Sequence, residues 1–130
     1  MAPARIPALA LAADLVAVVV FAAIGRVSHA EPDSLLGLLG TAAPFAVGAV
    51  AGWVSPWVRG APAGMLAGVT VVVGSVVVGL LLRFGFTGSL PWTFALVTAV
   101  SLAVLMLGWR GVSMLVARLG VAGERRTPRG

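Results

Sequence analysis

The stretch Ala63–Leu82, AGMLAGVTVVVGSVVVGLLL, runs for 20 residues without a charged side chain. At about 1.5 Å of rise per residue, a helix of that length matches a bilayer hydrocarbon core of about 30 Å. Three segments of similar length and apolar character surround it: Ile6–Gly25 and Leu35–Val54 before it, Leu90–Trp109 after it. Together they nearly exhaust a chain of 130 residues, 60% of them hydrophobic and 10% charged. A water-soluble domain with that ratio lacks the polar surface to stay dispersed. The reading is therefore an all-α, four-helix transmembrane bundle, with helices over 6–25, 35–54, 63–82 and 90–109 in one domain spanning 1–119. A lipid bilayer is its first partner.

The connections between the segments are short and marked. Gly25-Arg26 closes the first helix, and Pro32 and Asp33 give the next connection turn character. Trp53, Ser55-Pro56, Trp57, Arg59, Gly60 and Pro62 make a boundary and a tight turn. Tryptophan at such a place is expected to keep its N–H toward water. Arg83 ends the third helix, and Trp92 and Trp109 bracket the fourth. Apolar residues continue past Arg110 to Leu119, either as an interfacial segment or as straight continuation of the fourth helix. Residues 120–130, rich in Gly, Arg, Thr and Pro, read as a disordered basic tail.

All nine basic residues are arginine, against Asp14, Glu31, Asp33 and Glu124. On a four-span topology one side receives Arg5, Arg59, Arg110, Arg118, Arg125, Arg126 and Arg129, and the other only Arg26 and Arg83. The positive-inside bias then places both termini in the cytoplasm and the protein in the plasma (inner) membrane. The residues around Ser28-His29-Ala30 are small enough for signal-peptidase cleavage. The first apolar run is longer than a signal core of about 7–15 residues and carries Asp14, so it reads as a retained helix. The arginines cluster at membrane ends without interleaved stacking aromatics, which argues against nucleic acid as a partner.

Little chemistry is written in this chain. It has no cysteine and one histidine, and no HExxH or phosphate-loop motif, so no enzyme, metal site or cofactor is expected. The helix-packing signals are stronger. Gly48 and Gly52, Gly64 and Gly68, and Ser75 and Gly79 are pairs of small residues four apart, which let backbones approach where lipid supplies no hydrophobic force. They serve either packing inside one bundle or, for the third helix, contact between two copies. The segments also have the outline of two tandem helical hairpins, with Arg26 corresponding to Arg83.

Asp14 is the residue that most needs an explanation. Its position, about 12 Å inside the first span, places it near the midplane, where an aspartate costs about 2.5–3.5 kcal/mol. It marks either a pathway or proton site, in a polar belt with Thr70, Thr98 and Ser101, or a hydrogen-bonded pin that fixes helix register. At the other end Arg26, Ser28, His29 and Arg83 form a rim that suits an anionic group or lipid headgroups.

The segments Ala13-Asp14, Phe21-Ala22-Ala23-Ile24-Gly25-Arg26-Val27-Ser28-His29, Thr41-Ala42-Ala43-Pro44-Phe45, Leu82-Arg83 and Gly108-Trp109-Arg110 resemble the prokaryotic membrane proteins grouped as domain-of-unknown-function family 3054. The resemblance implies a four-helix membrane protein and brings no activity with it. From the residues themselves, the expected function is a small oligomeric transporter or channel with an acidic site in the membrane. The alternative is an accessory subunit that docks a partner membrane protein. A homo-oligomer is expected in the first case, because so small a bundle can hardly enclose a pathway alone.

Overall fold

In a computed structural model the described residues are helical apart from short turns, with no strand among them. The structure describes the backbone of residues 5–28 and 34–126 and the side chains of 7–26 and 34–120. The helices are α1 (Arg5–Ser28), α2 (Leu35–Trp53), the one-turn α3 (Pro56–Gly60), α4 (Met65–Thr87) and α5 (Trp92–Arg126). The four long ones are apolar and long enough to cross a membrane. The protein is a four-helix transmembrane bundle.

Local chemistry sets the helix ends. Ser34, in extended conformation, accepts the Gly37 N–H at 2.9 Å and so satisfies one orphan donor at the start of α2. After α2, Arg59 donates to the Val54 carbonyl at 3.1 Å while Ser55-Pro56 turns the chain. Gly88 closes α4 at φ 70°, a left-handed conformation that glycine adopts without a Cβ penalty, and its N–H reaches the Phe84 carbonyl at 2.7 Å. No proline interrupts the chain between Trp92 and Arg126, and α5 runs through four glycines as one helix of 35 residues, roughly 50 Å long. It continues straight past Arg110 and runs well into the stretch read above as a disordered tail. Glu124, Arg125 and Arg126 are good helix formers, in keeping with a helix described as far as Arg126.

Each span turns one stripe inward. On α5 the stripe is Thr98, Leu102, Met106 and Arg110, four apart and fully buried; on α4 it is Ala67, Val71, Ser75 and Gly79; on α1 it includes Ala10, Asp14, Ala17, Val18 and Phe21. Val and Leu residues such as Val16, Val47, Val73 and Val104 cover the outward faces and stand exposed, as a hydrocarbon solvent allows. The helices form a ring in the order α1, α2, α4, α5, each packed on its two neighbours.

The tightest seam is between α2 and α4, and glycine makes it possible. A Cβ on Gly48 would lie 2.5 Å from the Gly74 carbonyl oxygen, and one on Gly74 would lie 2.8 Å from the Gly48 oxygen. Gly52 faces the Val71 backbone in the same way, with 3.0 Å available. Gly79 receives the Phe45 ring, and Gly68 makes room for Leu107 and the stem of Arg110 on α5. The small residues of α4 expected as a contact between copies are thus occupied within one chain. Gly64 caps α4 in the turn and meets only Ala61, so it joins no helix pair.

Candidate functional site

Both ends of the bundle carry arginine, in opposite settings. At one end Asp14 is fully buried and forms a two-pronged ion pair with Arg110, Oδ1 to Nη1 and Oδ2 to Nη2, each at 2.8 Å. The indole N–H of Trp53 donates to Oδ2 and that of Trp109 to Oδ1, both at 2.9 Å. Four N–H donors on two oxygens suit an acceptor-only carboxylate. Arg110 also donates through Nε to the Pro62 carbonyl at 2.9 Å and through Nη1 to the Met106 carbonyl at 3.1 Å. Its guanidinium lies 4.3 Å over the Trp109 ring.

This node ties α1, α2, the turn before α4, and α5 together through groups that have no water to fall back on. Gly68 is part of it, since a side chain there would run into the Arg110 stem, with Cδ 2.8 Å from an added Cβ. The node joins Asp14, ten residues into α1, to Trp53, the last residue of α2.

The polar belt expected around Asp14 does not form. Thr70 donates to the Leu66 carbonyl at 2.9 Å and accepts the Trp57 indole N–H at 2.8 Å. Thr98 lies three helical turns from Arg110, roughly 18 Å along α5, and Ser101 is half-buried just off the inward stripe. The tryptophans correct a second expectation. Trp53 and Trp109 turn their N–H groups into the protein rather than toward water, because a buried carboxylate outcompetes solvent for them.

At the opposite end a cavity of about 470 Å³ opens between α1, α4 and α5. Arg26 and Arg83 both line it, so the structure brings these two rim residues together as their placement in sequence suggested. Arg26 donates to the Thr41 hydroxyl at 3.2 Å, and Thr41 donates onward to the Gly37 carbonyl at 3.0 Å. The Arg83 guanidinium lies 4.5 Å over the Phe94 ring. Each arginine is thus held by the helix that follows it in its own hairpin. The Ser28 side chain and His29 lie outside the described residues. No carboxylate is among the described residues that line the cavity.

Deeper in, the walls turn apolar. Phe21 meets Phe45 edge-on with ring centres 5.3 Å apart, and Phe45 tilts against Phe94 at 6.3 Å. Thr98 also lines the cavity; it is fully buried, and its hydroxyl is the one buried side-chain polar atom among the described residues without a hydrogen-bond partner. Between Thr98 and the Asp14–Arg110 node, Leu102 and Met106 occupy the inward face of α5 and Val18 that of α1, all fully buried. The cavity is blind, closed by packed side chains.

Residues 11–113 match the family described as protein of unknown function (DUF3054). The chain belongs to this family. No curated protein and no solved structure matches it. In this DUF3054 protein the matched segment contains the whole node, from Asp14 to Arg110, and both cavity arginines. The residue missed by reading the sequence is Arg110 as Asp14's partner, since its place beside Trp109 groups it with the arginines at one membrane end. A signal was present: Val112, Met114, Leu115 and Val116 follow Arg110, so it does not end its hydrophobic run. An aspartate inside a membrane also calls for a cation on another helix.

Proposed function

We propose that the protein is a small membrane carrier that loads an anionic solute into the Arg26–Arg83 cavity. The observation that carries this reading is the convergence of two guanidiniums on a blind cavity, with a sealed ion pair at the other end of the bundle. A cavity of this size suits a small molecule, and arginine recognises carboxylate or phosphate through a planar fork of donors. The arginine bias across the spans supports an outward-facing cavity and cytoplasmic termini in the plasma membrane; Arg110, being buried, drops out of that bias without reversing it. In this reading Asp14 is the closure of the inner end rather than a proton carrier, and solute passes when the helices rock about the α2–α4 seam. A homo-oligomer would supply the wall that one bundle lacks.

Reconstitution into proteoliposomes tests the proposal. Wild-type protein is expected to take up a carboxylate or phosphate compound, and Arg83→Gln to lower uptake at least tenfold while the helical circular dichroism stays unchanged. Equal uptake by the variant, or no movement of any anion by the wild type, would remove the carrier reading. A second reading, an accessory subunit, has its own support: beyond Arg110 the helix α5 leaves the bundle with Val112, Leu115, Val116 and Leu119 exposed. A heterologous membrane protein bound in fixed stoichiometry after mild-detergent extraction would favour it.

A further inference from the structure

Charge in the cavity is confined to its mouth. Arg26 is two residues from the end of α1, and Arg83 is four from the end of α4 and lies over Phe94 near the start of α5, whereas Phe21, Val97 and Thr98 lie toward the bundle interior. A small hydrated anion gains nothing from that inner half, because a phenylalanine ring and a valine cannot replace the water it would leave behind. A purely apolar molecule offers no counter-charge to Arg83, which stands at the mouth against a phenylalanine ring. The walls therefore suit a ligand with both parts.

Resting on the reading of this cavity as the loading site, we infer that its ligand is an anionic amphiphile. The phosphate or carboxylate head pairs with Arg83 and Arg26 at the mouth, the apolar chain lies over Phe21 and Phe94, and an ester or hydroxyl oxygen in that chain meets the Thr98 hydroxyl. Thr98 makes the last point specific. A threonine in a helix ordinarily turns its hydroxyl back onto the carbonyl four residues earlier, as Thr41, Thr70 and Thr87 all do here. Thr98 does not, and it stays buried without a partner, a state that is unfavourable until something in the cavity bonds to it. Arg26 keeps its bond to Thr41 in this arrangement, so Arg83, stacked on Phe94 in the cavity wall, is the main anchor.

Such a ligand has two sources, an anionic phospholipid of the bilayer or a free single-chain acid. The test uses the purified full-length chain in an uncharged detergent and measures binding by native mass spectrometry and calorimetry. Four probes are compared: inorganic phosphate, dodecyl phosphate, the neutral dodecanol, and a single-chain lysophosphatidic acid whose ester lies next to its head. Dodecyl phosphate is expected to bind at least a hundredfold more tightly than inorganic phosphate, and the ester-bearing probe more tightly still. Arg83→Gln should weaken both amphiphiles about tenfold, whereas Thr98→Val should weaken only the ester-bearing one and return it to the level of dodecyl phosphate.

Equal binding of inorganic and dodecyl phosphate would overturn the amphiphile, and a neutral chain of the same length binding as tightly would overturn the role of the arginines. Ejection of the protein from nanodiscs containing phosphatidylglycerol separates the sources. Retention of that lipid on the wild type and its loss from Arg83→Gln identify the bilayer as the source, and retention by both overturns the assignment to this cavity. Failure here is distinct from failure of the carrier reading. Amphiphile binding with no anion flux sinks only the carrier, and flux of a small anion that dodecyl phosphate does not inhibit sinks only the amphiphile.

Discussion

Arg110 and Arg83 are the same side chain at opposite ends of one bundle, and they do opposite things. Arg110 is enclosed, with a carboxylate, two backbone carbonyls and an indole ring arranged around it. Arg83 is half-buried, stacked on one phenylalanine at the mouth of a cavity. The difference comes from the neighbouring helix. A buried guanidinium is tolerable only when the chain itself supplies the counter-charge and the acceptors, and α1 does so with Asp14. Where the chain supplies an aromatic face and a cavity, the guanidinium is left to pair with something that enters.

That contrast breaks most visibly at Asp14. Replacing it by alanine leaves Arg110 buried without its counter-charge and is expected to cost about 3–5 kcal/mol, read as a large drop in the thermal unfolding midpoint in detergent. Because much of that loss is the stranded charge, Asp14→Leu combined with Arg110→Leu should regain most of it. Arg83→Gln, at the cavity end, should change stability by no more than about 0.5 kcal/mol. If Asp14→Ala melts with the wild type, the node is not what holds that end together and the two arginines are not different in kind. The indoles provide a graded version. Trp53→Phe keeps the ring and deletes one donor to a charged acceptor, an expected loss of about 1.5–3 kcal/mol, checked by the same melt.

How much of this could be read from the sequence differs between the two ends as well. The spans were legible because four apolar runs have few other physical solutions. The cavity arginines were legible because each stands at the end of an apolar run, and antiparallel helices joined by short turns bring alternate ends together. The node was only half legible. Asp14 announces itself by its cost in hydrocarbon, but its partner is about 100 positions away on a helix that continues past the membrane boundary suggested by Trp109. Only the packed bundle shows that Trp109 and Arg110 point inward. Gly64 misled for a related reason: GxxxG spacing reports a smooth helix face, and Gly64 falls in the turn before that face begins. The cavity's inner wall was only partly legible: Thr98 stands out as a hydroxyl inside a span but gives no sign that it belongs to the Arg83 end rather than to Asp14, and Phe21 and Phe94 carry no periodic or motif signal that distinguishes them from ordinary core.

Between the two ends lies the α2–α4 seam, and two smaller substitutions ask what it is made of. Gly48→Ala adds a Cβ against a backbone oxygen that has no rotamer by which to yield, so the helices must part; about 1–3 kcal/mol is expected. Ser75→Ala is the milder change. Its hydroxyl donates to the Phe45 carbonyl at 2.8 Å in a fully buried contact, yet that carbonyl lies inside α2 and has a helical donor of its own. Removing the hydroxyl leaves no orphan, and interhelical hydrogen bonds in membranes average only about 0.6 kcal/mol. An unfolding measurement should therefore place Ser75→Ala within about 1 kcal/mol of wild type and clearly above Gly48→Ala. The reverse order would mean that polar contact, rather than close backbone approach, joins the middle of the bundle. The hinge proposed for the carrier would then have to sit elsewhere, because a seam held by a directional bond resists the sliding that two smooth glycine faces permit.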